Sequence, residues 1–238
     1  KIISIIKKEK VIYILNFAAQ SMVGESWLSP LDWYKTNVMS TINLIEQINK
    51  IDIKKYIHFT TPEVYGDIRG NKKENFEFYP STPYAISRAT TDMHLHALNR
   101  FSKFPVIFTR ASNVYGNGQD FYRLIPKLFY LAKLKKEFPL HGGGESIRNF
   151  IHIDDVSAAL IKILKKGKIG ETYHISGRNY HSIREIARKV YSMYNLSSHK
   201  FIKKTKDRLA KDKHYKLDSS KLRKELNWSD KISLDEGI

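Results

Sequence analysis

The chain reads as an α/β protein: an open parallel sheet wound with helices, accompanied by a smaller α/β lobe. Short β-branched and aromatic runs alternate with stretches of helical periodicity, the pattern of strand–helix–strand crossovers. The composition, 42% hydrophobic and 27% charged with 12 Gly and 7 Pro in 238 residues, is ordinary for a globular chain able to bury a core. No shift in composition marks a flexible linker, so one compact unit is expected.

Val11 to Leu15 is a continuous apolar run bounded by Asn16, Ala18 and Ala19, as expected of a buried strand ending at a loop. Leu31 to Asn49 repeats apolar residues at helical spacing (Leu31, Tyr34, Val38, Ile42, Ile45, Ile48), and Lys55 to Phe59 follows as a strand. The alternation continues with a helix from Pro83 to Phe101, a strand from Pro105 to Thr109 and a helix from Phe121 to Lys135. Ile147 to Ile153 and Glu171 to Ile175 read as strands, and Asp154 to Lys165 and Ile183 to Tyr194 as helices; this last part is expected to form the smaller lobe. Asp154 and Asp155, placed where a strand meets a helix, read as helix caps rather than metal ligands. His94 and His96 point to different sides of their helix and make a poor metal site, so no metal is expected.

The net charge of +17 suits an anionic partner, but the lysines are scattered and no nucleic-acid recognition motif accompanies them, so a solvated basic surface is the reading. Without cysteine there is no disulfide framework, thiolate nucleophile or Cys-based metal site. The longest apolar run is far shorter than the roughly 20 residues of a membrane span, so a cytoplasmic protein without membrane or nucleic-acid partners is expected.

The sharpest local signal is Ser81-Thr-Pro-Tyr84-Ala-Ile-Ser-Arg88, which sets a phenol and a cation one helical turn apart. A tyrosine is a poor base at neutral pH, and a fixed cation one turn away is expected to favour its phenolate. The strand before it runs into Thr60-Thr61-Pro62-Glu63-Val-Tyr-Gly66, at the kind of strand end where parallel sheets place ligands.

With these motifs the sequence resembles the extended short-chain dehydrogenase/reductase family, and within it the NAD-dependent nucleotide-sugar 4,6-dehydratases of the dTDP-glucose type. Asn16-Phe-Ala-Ala-Gln-Ser21 resembles the family's fourth-strand end, Thr61-Pro-Glu63 its Thr-Asp-Glu or Thr-Ser-Glu motif, and Thr109-Arg-Ala-Ser-Asn113-Val-Tyr-Gly116 its strand-six loop. Arg148-Asn-Phe-Ile is similar to the segment whose arginine holds the nucleotide diphosphate, and Asp207-Arg208 to a further diphosphate-binding stretch. The resemblance implies a Rossmann-like doubly wound sheet, with residues 1–140 a partial NAD-binding domain and 141–238 mainly the nucleotide-sugar lobe, the chain interleaving between the two.

It further implies catalysis by Thr61, Glu63, Tyr84 and Arg88, and cofactor contacts from Asn16, Ala18, Ala19, Thr60, Tyr84, Arg88 and Asn113. Ser21, Asn113, Arg148 and Arg208 would hold the substrate, and two long helices, Leu31 to Asn49 and Pro83 to Phe101, would pair in a homodimer. The implied reaction oxidises C4 of the sugar, eliminates water across C5 and C6 and returns hydride to C6, serving surface-polysaccharide synthesis.

Arg88 stands where the family usually has Lys, and Pro62 where the dTDP-glucose enzymes carry an acidic Asp. A 4-epimerase, a decarboxylase or a catalytically impaired binding relative therefore remain open alternatives. No G-x-G-x-x-G turn is found, so the sheet is expected to lack its first strands, expose an edge and bind cofactor weakly.

Overall fold

The computed structural model describes residues 1–67, 70–206 and 216–238. In chain order the first half contains α1 (Ile2–Lys8), β1 (Tyr13–Asn16), α2 (Pro30–Trp33), α3 (Thr41–Ile48), β2 (Lys55–Thr60), β3 (Asn71–Lys72), α4 (Pro83–Ser102), β4 (Val106–Ala111) and β5 (Asn113–Tyr115). The second half adds α5 (Leu124–Lys133), β6 (Phe138–His141), β7 (Ile147–His152), α6 (Ile153–Lys166), β8 (Thr172–Ile175), β9 (Tyr180–Ser182) and α7 (Ile183–Met193). It closes with α8 (Ser198–Phe201), β10 (Ile202–Thr205), β11 (Lys216–Leu217), α9 (Ser220–Leu226) and α10 (Leu234–Gly237).

The main sheet has the order β1-β2-β4-β8, and every pairing in it is parallel. Its carboxyl ends, Asn16, Thr60, Ala111 and Ile175, share one rim. Both faces are covered. On one, Ile57, Ile107, Tyr173 and Ile175 pack against Val156, Leu160 and Ile163 of α6 and Leu222 and Leu226 of α9. On the other, Tyr56, Val106 and Phe108 meet Ile45 and Ile48 of α3 and Leu95 of α4. Burial on both faces is why β2 and β4 carry apolar residues at consecutive positions, Tyr56 with Ile57 and Val106 with Ile107. A separate core joins α5 and α7 to Phe138 and Leu140 of β6, beside the three-stranded sheet β5-β7-β9.

One strand lies elsewhere than the sequence suggests. β8, expected in the smaller lobe, pairs with β4 and completes the main sheet, because its four residues are all buried and need cover on both sides. The cap of α6 also differs: the His152 side chain accepts from the Asp154 amide, while Asp154 and Asp155 sit in the first turn. Asp155 turns inward and accepts from the Lys231 and Ile232 amides, tying down the C-terminal segment. The long helix foreseen at Leu31 to Asn49 is present as α2 and α3 joined through a π-helical stretch, Tyr34–Ser40. Among the described residues, no helix is long and apolar enough to cross a membrane.

Ile57 lies in a central strand with no solvent exposure, whereas Ile161 on α6 is 53% exposed. Ile57→Ala is expected to cost about 2–5 kcal/mol in urea denaturation, and Ile161→Ala to stay within about 0.5 kcal/mol of the parent. Equal costs at the two positions would contradict the assignment of β2 to the sheet centre.

Candidate active site

Three local devices place side chains at the carboxyl rim. After β2, Thr61 caps a short 3-10 turn, Pro62–Tyr65, by accepting from the Glu63 amide at 3.3 Å. The turn ends at Gly66, whose φ of +69° and closeness to the Tyr79 carbonyl, 2.2 Å from where a Cβ would stand, admit only glycine. At α4, Thr82 accepts from the Ala85 amide at 3.1 Å and Pro83 opens the helix, which sets Tyr84 in its first turn and Arg88 one turn on. In β7, Asn149 is buried and accepts from Ser176 at 3.1 Å and the Gly177 amide at 2.8 Å. Strand alternation then sends its neighbour Arg148 to the opposite face.

These elements enclose a cavity of about 680 Å³. Of the residues singled out in the sequence, Ala19, Ser21, Thr60, Thr61, Glu63, Tyr84, Arg88, Asn113 and Arg148 all line it. Asn16 does not: its side chain donates to the Tyr56 hydroxyl at 2.7 Å and accepts from the Ala18 amide at 3.0 Å, shaping the loop after β1 from beneath. Ala18 shares that bracing position, and Arg208 lies outside the described residues. The cavity also takes in Gln119, Lys127 and Arg123, which the sequence reading missed. Arg123 stands at the N-cap position of α5, makes no capping bond there, and donates to Ser21 at 2.7 Å. A cation at a helix N-terminus opposes the helix dipole, a sequence-level hint that it serves something other than the helix.

The pairing of Tyr84 with Arg88 differs from expectation. Burial pushes the Tyr84 phenol above its usual range, and Arg88 and the hydrogen bond from Thr61 only partly offset this. One cation one turn away does not outweigh the desolvation of a phenolate in a closed site. Arg88 itself is buried, and one of its amino groups donates to the Phe59 carbonyl at the end of β2. Its Nε and Nη1 have no partner, and neither does the buried Thr60 hydroxyl. All three polar atoms belong to residues that line the cavity. Buried donors without partners are costly, and the hydroxyl-rich ribose of a dinucleotide would satisfy them.

Beneath the rim lies a sealed polar cluster absent from the sequence reading. Asp92 accepts from Arg110 at 2.7 Å and faces His58 at 3.4 Å, with no solvent contact at any of the three side chains. Burial opposes ionisation of Asp92, but Arg110, the His58 hydrogen bond and Arg88 together hold the carboxyl below its usual range. Arg110 reaches the Tyr65 hydroxyl at 3.1 Å, and that hydroxyl is 2.9 Å from Nε2 of buried His174. Burial pushes both His58 and His174 below the ordinary value of 6.5, His174 well below, so both rings are neutral in the fold.

The family described as GDP-mannose 4,6 dehydratase matches residues 1–238. The human dTDP-D-glucose 4,6-dehydratase is 32% identical over 236 residues, a match covering 97% of this chain and 67% of that protein. A trifunctional UDP-glucose 4,6-dehydratase/3,5-epimerase/reductase of Arabidopsis thaliana is 33% identical over 94% of this chain, which spans only 34% of its length. The crystal structure of the dTDP-glucose 4,6-dehydratase DesIV from Streptomyces venezuelae, solved with NAD bound, superposes with a TM-score of 0.93 at 30% identity, covering 99% of this chain and 74% of that one. A UDP-glucuronic acid 4-epimerase from Bacillus cereus, in complex with UDP-glucuronic acid and NAD, gives a TM-score of 0.93 at 25% identity, over 100% of this chain and 75% of that one.

The neutral histidines make stability pH-dependent. Below about pH 6.5 the unfolded chain takes up protons that folded His58 and His174 refuse, so stability is intact above that pH and falls as acid is added. The expected slope approaches about 1.4 kcal/mol per pH unit for His174, and His58 adds to it in the same direction. Urea unfolding at pH 7.5 and 5.5 checks this, and His174→Gln is expected to show the shallower dependence.

Proposed function

The chain belongs to the GDP-mannose 4,6 dehydratase family of NAD-dependent epimerase/dehydratases of the extended short-chain dehydrogenase type, and from that premise we propose that it is a cytoplasmic nucleotide-sugar 4,6-dehydratase. The observation that carries this reading is the convergence of Thr61, Glu63, Tyr84 and Arg88 on one cavity at the carboxyl rim of the sheet. The first part of the chain, through 140 and with β8 added to its sheet, serves the cofactor; the remainder serves mainly the nucleotide sugar. Exposed Leu31, Met39, Met93 and Phe101 on α2 to α4 support pairing of two copies through these helices.

NAD fits the partnerless Nε and Nη1 of Arg88 and the Thr60 hydroxyl, with Ala19 and Asn113 beside them; when bound, it supplies the hydride acceptor for C4 and the donor for C6. Tyr84 accepts the proton of the C4 hydroxyl, and Arg88, with smaller help from Thr61 and Arg123, favours the phenolate needed for that. Thr61, hydrogen-bonded to Tyr84, orients the same oxygen. Once C4 is a ketone, the adjacent C5 proton is acidic, and Glu63 removes it. Pro62 offers no proton to the C6 hydroxyl, so the Glu63 acid so formed or a bound water protonates that oxygen and it leaves as water. Arg148 and Arg123, with Ser21, present cationic and hydroxyl donors to the diphosphate.

Mass spectrometry of the purified protein, expressed from its whole reading frame with NAD⁺ and a panel of dTDP-, GDP-, UDP- and CDP-sugars, tests this. A product lighter by one water is expected, and Glu63→Gln is expected to lower its formation by about 10²–10⁴-fold. Loss of CO₂ would instead mark a decarboxylase, and an isobaric product an epimerase. Binding without turnover would mean that Arg88 and Pro62 accompany a lost activity.

A further inference from the structure

The sealed cluster under the rim has a branch that leads back to Glu63. Tyr65 closes the turn that carries Glu63, two residues away. Its ring lies under the Arg110 guanidinium, 4.9 Å from the centroid, and its hydroxyl accepts from Arg110 Nη1 at 3.1 Å. Neutral His174 faces the Asp218 carbonyl with Nδ1 at 3.3 Å, which assigns the ring proton there and leaves Nε2 to accept from the Tyr65 hydroxyl at 2.9 Å, a proton shared with the more distant Asn75 carbonyl at 3.3 Å. Arg110 is in turn fixed by Asp92, one turn beyond Arg88 on α4.

The residue after Tyr65 is Gly66, locked under the Tyr79 carbonyl, and the residue before the turn is Thr61, its cap. The turn is thus held at its start by a cap, in its middle by the Tyr79 amide on the Val64 carbonyl at 3.0 Å, at its end by Gly66 under the Tyr79 carbonyl, and from below by the Tyr65 hydroxyl. A 3-10 turn of four residues has little internal hydrogen bonding of its own, so these external ties set its orientation.

We propose that Tyr65 is a positioning residue for Glu63: its hydroxyl, clamped between Arg110 and His174, fixes the turn and hence the approach of the carboxylate to the sugar. This rests on the reading of Glu63 as the C5 base. Tyr65 does not line the cavity, so it acts through the turn and not on the substrate. The orienting hydroxyl contributes where proton abstraction needs a carboxylate at one angle, and contributes little to holding the nucleotide.

Tyr65→Phe in the whole protein removes the hydroxyl and keeps the ring that packs on Phe78. It is expected to lower kcat for water loss at least tenfold, leave the nucleotide-sugar KM within threefold, and speed amide hydrogen exchange across 62–66. A kcat within twofold of the parent, or unchanged exchange over 62–66, overturns the proposal. His174→Gln and His174→Leu approach the same hydroxyl from its other side, and decide the matter if the phenylalanine variant does not fold. Gln keeps a hydrogen-bonding partner and Leu does not, so kcat is expected at least fivefold lower in Leu at similar KM; equal kcat in the two also overturns it. Should the parent turn over no nucleotide sugar, the functional reading fails, while the exchange comparison still decides whether the hydroxyl holds the turn.

Discussion

Asp92 is a carboxylate with no access to water, and two guanidinium groups depend on it. Arg110 is bonded to it directly, and Arg88 lies one turn away on the same helix, with His58 between the two. Removing a charge from water costs several kcal/mol, so each member is tolerable only while the others hold their places. Loss of one partner of such a pair typically costs about 3–5 kcal/mol, because the survivor is left buried and unpaired. The cluster draws on α4, β2 and β4 at once, so it cannot be satisfied until helix and sheet are docked in register.

The two faces of the sheet divide the work. Strand alternation sends Ile57, Ile107 and Tyr173 into an apolar layer under α6 and α9. The same alternation sends His58, Arg110 and His174 to the face beneath α4, where the register sets Arg110 beside His174 and opposite Thr60. The face under α6 and α9 thus supplies hydrophobic stabilisation alone, while the face under α3 and α4 combines its own apolar cluster around Tyr56, Val106 and Phe108 with the charged groups below the cavity. Buried Asn37 works alongside: it exchanges hydrogen bonds with the Gln20 backbone and donates to Ser87, so the loop after β1 is fastened to the helix that carries Tyr84 and Arg88. It sits in the π-helical stretch, where the irregular winding accompanies a functional tie rather than a packing face.

The net charge of +17 takes on a more specific meaning at the cavity. Many of the lysines lie on the surface, where salt screens them within about 10 Å. Arg123, Lys127 and Arg148 instead gather around one enclosure, where a nucleotide diphosphate would meet them at short range and with less competing water.

The strand and helix alternation and the two motifs that carry Thr61, Glu63, Tyr84 and Arg88 are legible in the sequence, because periodicity and capping are local properties that a short segment carries on its own. What depends on meeting partners far along the chain is not. β8 reads as part of the smaller lobe since nothing in Thr-Tyr-His-Ile names the strand it will pair with. Arg123 went unnoticed because its partner Ser21 lies 102 residues earlier. The direction of the Tyr84 shift was misjudged because a neighbouring cation can be counted in a sequence, whereas desolvation is a property of the closed site. His58, Asp92, Arg110 and His174 are separately unremarkable letters in strands and a helix. Only tertiary structure, by stacking β2, β4 and β8 in register under α4, brings them within hydrogen-bonding distance and makes them one electrostatic unit.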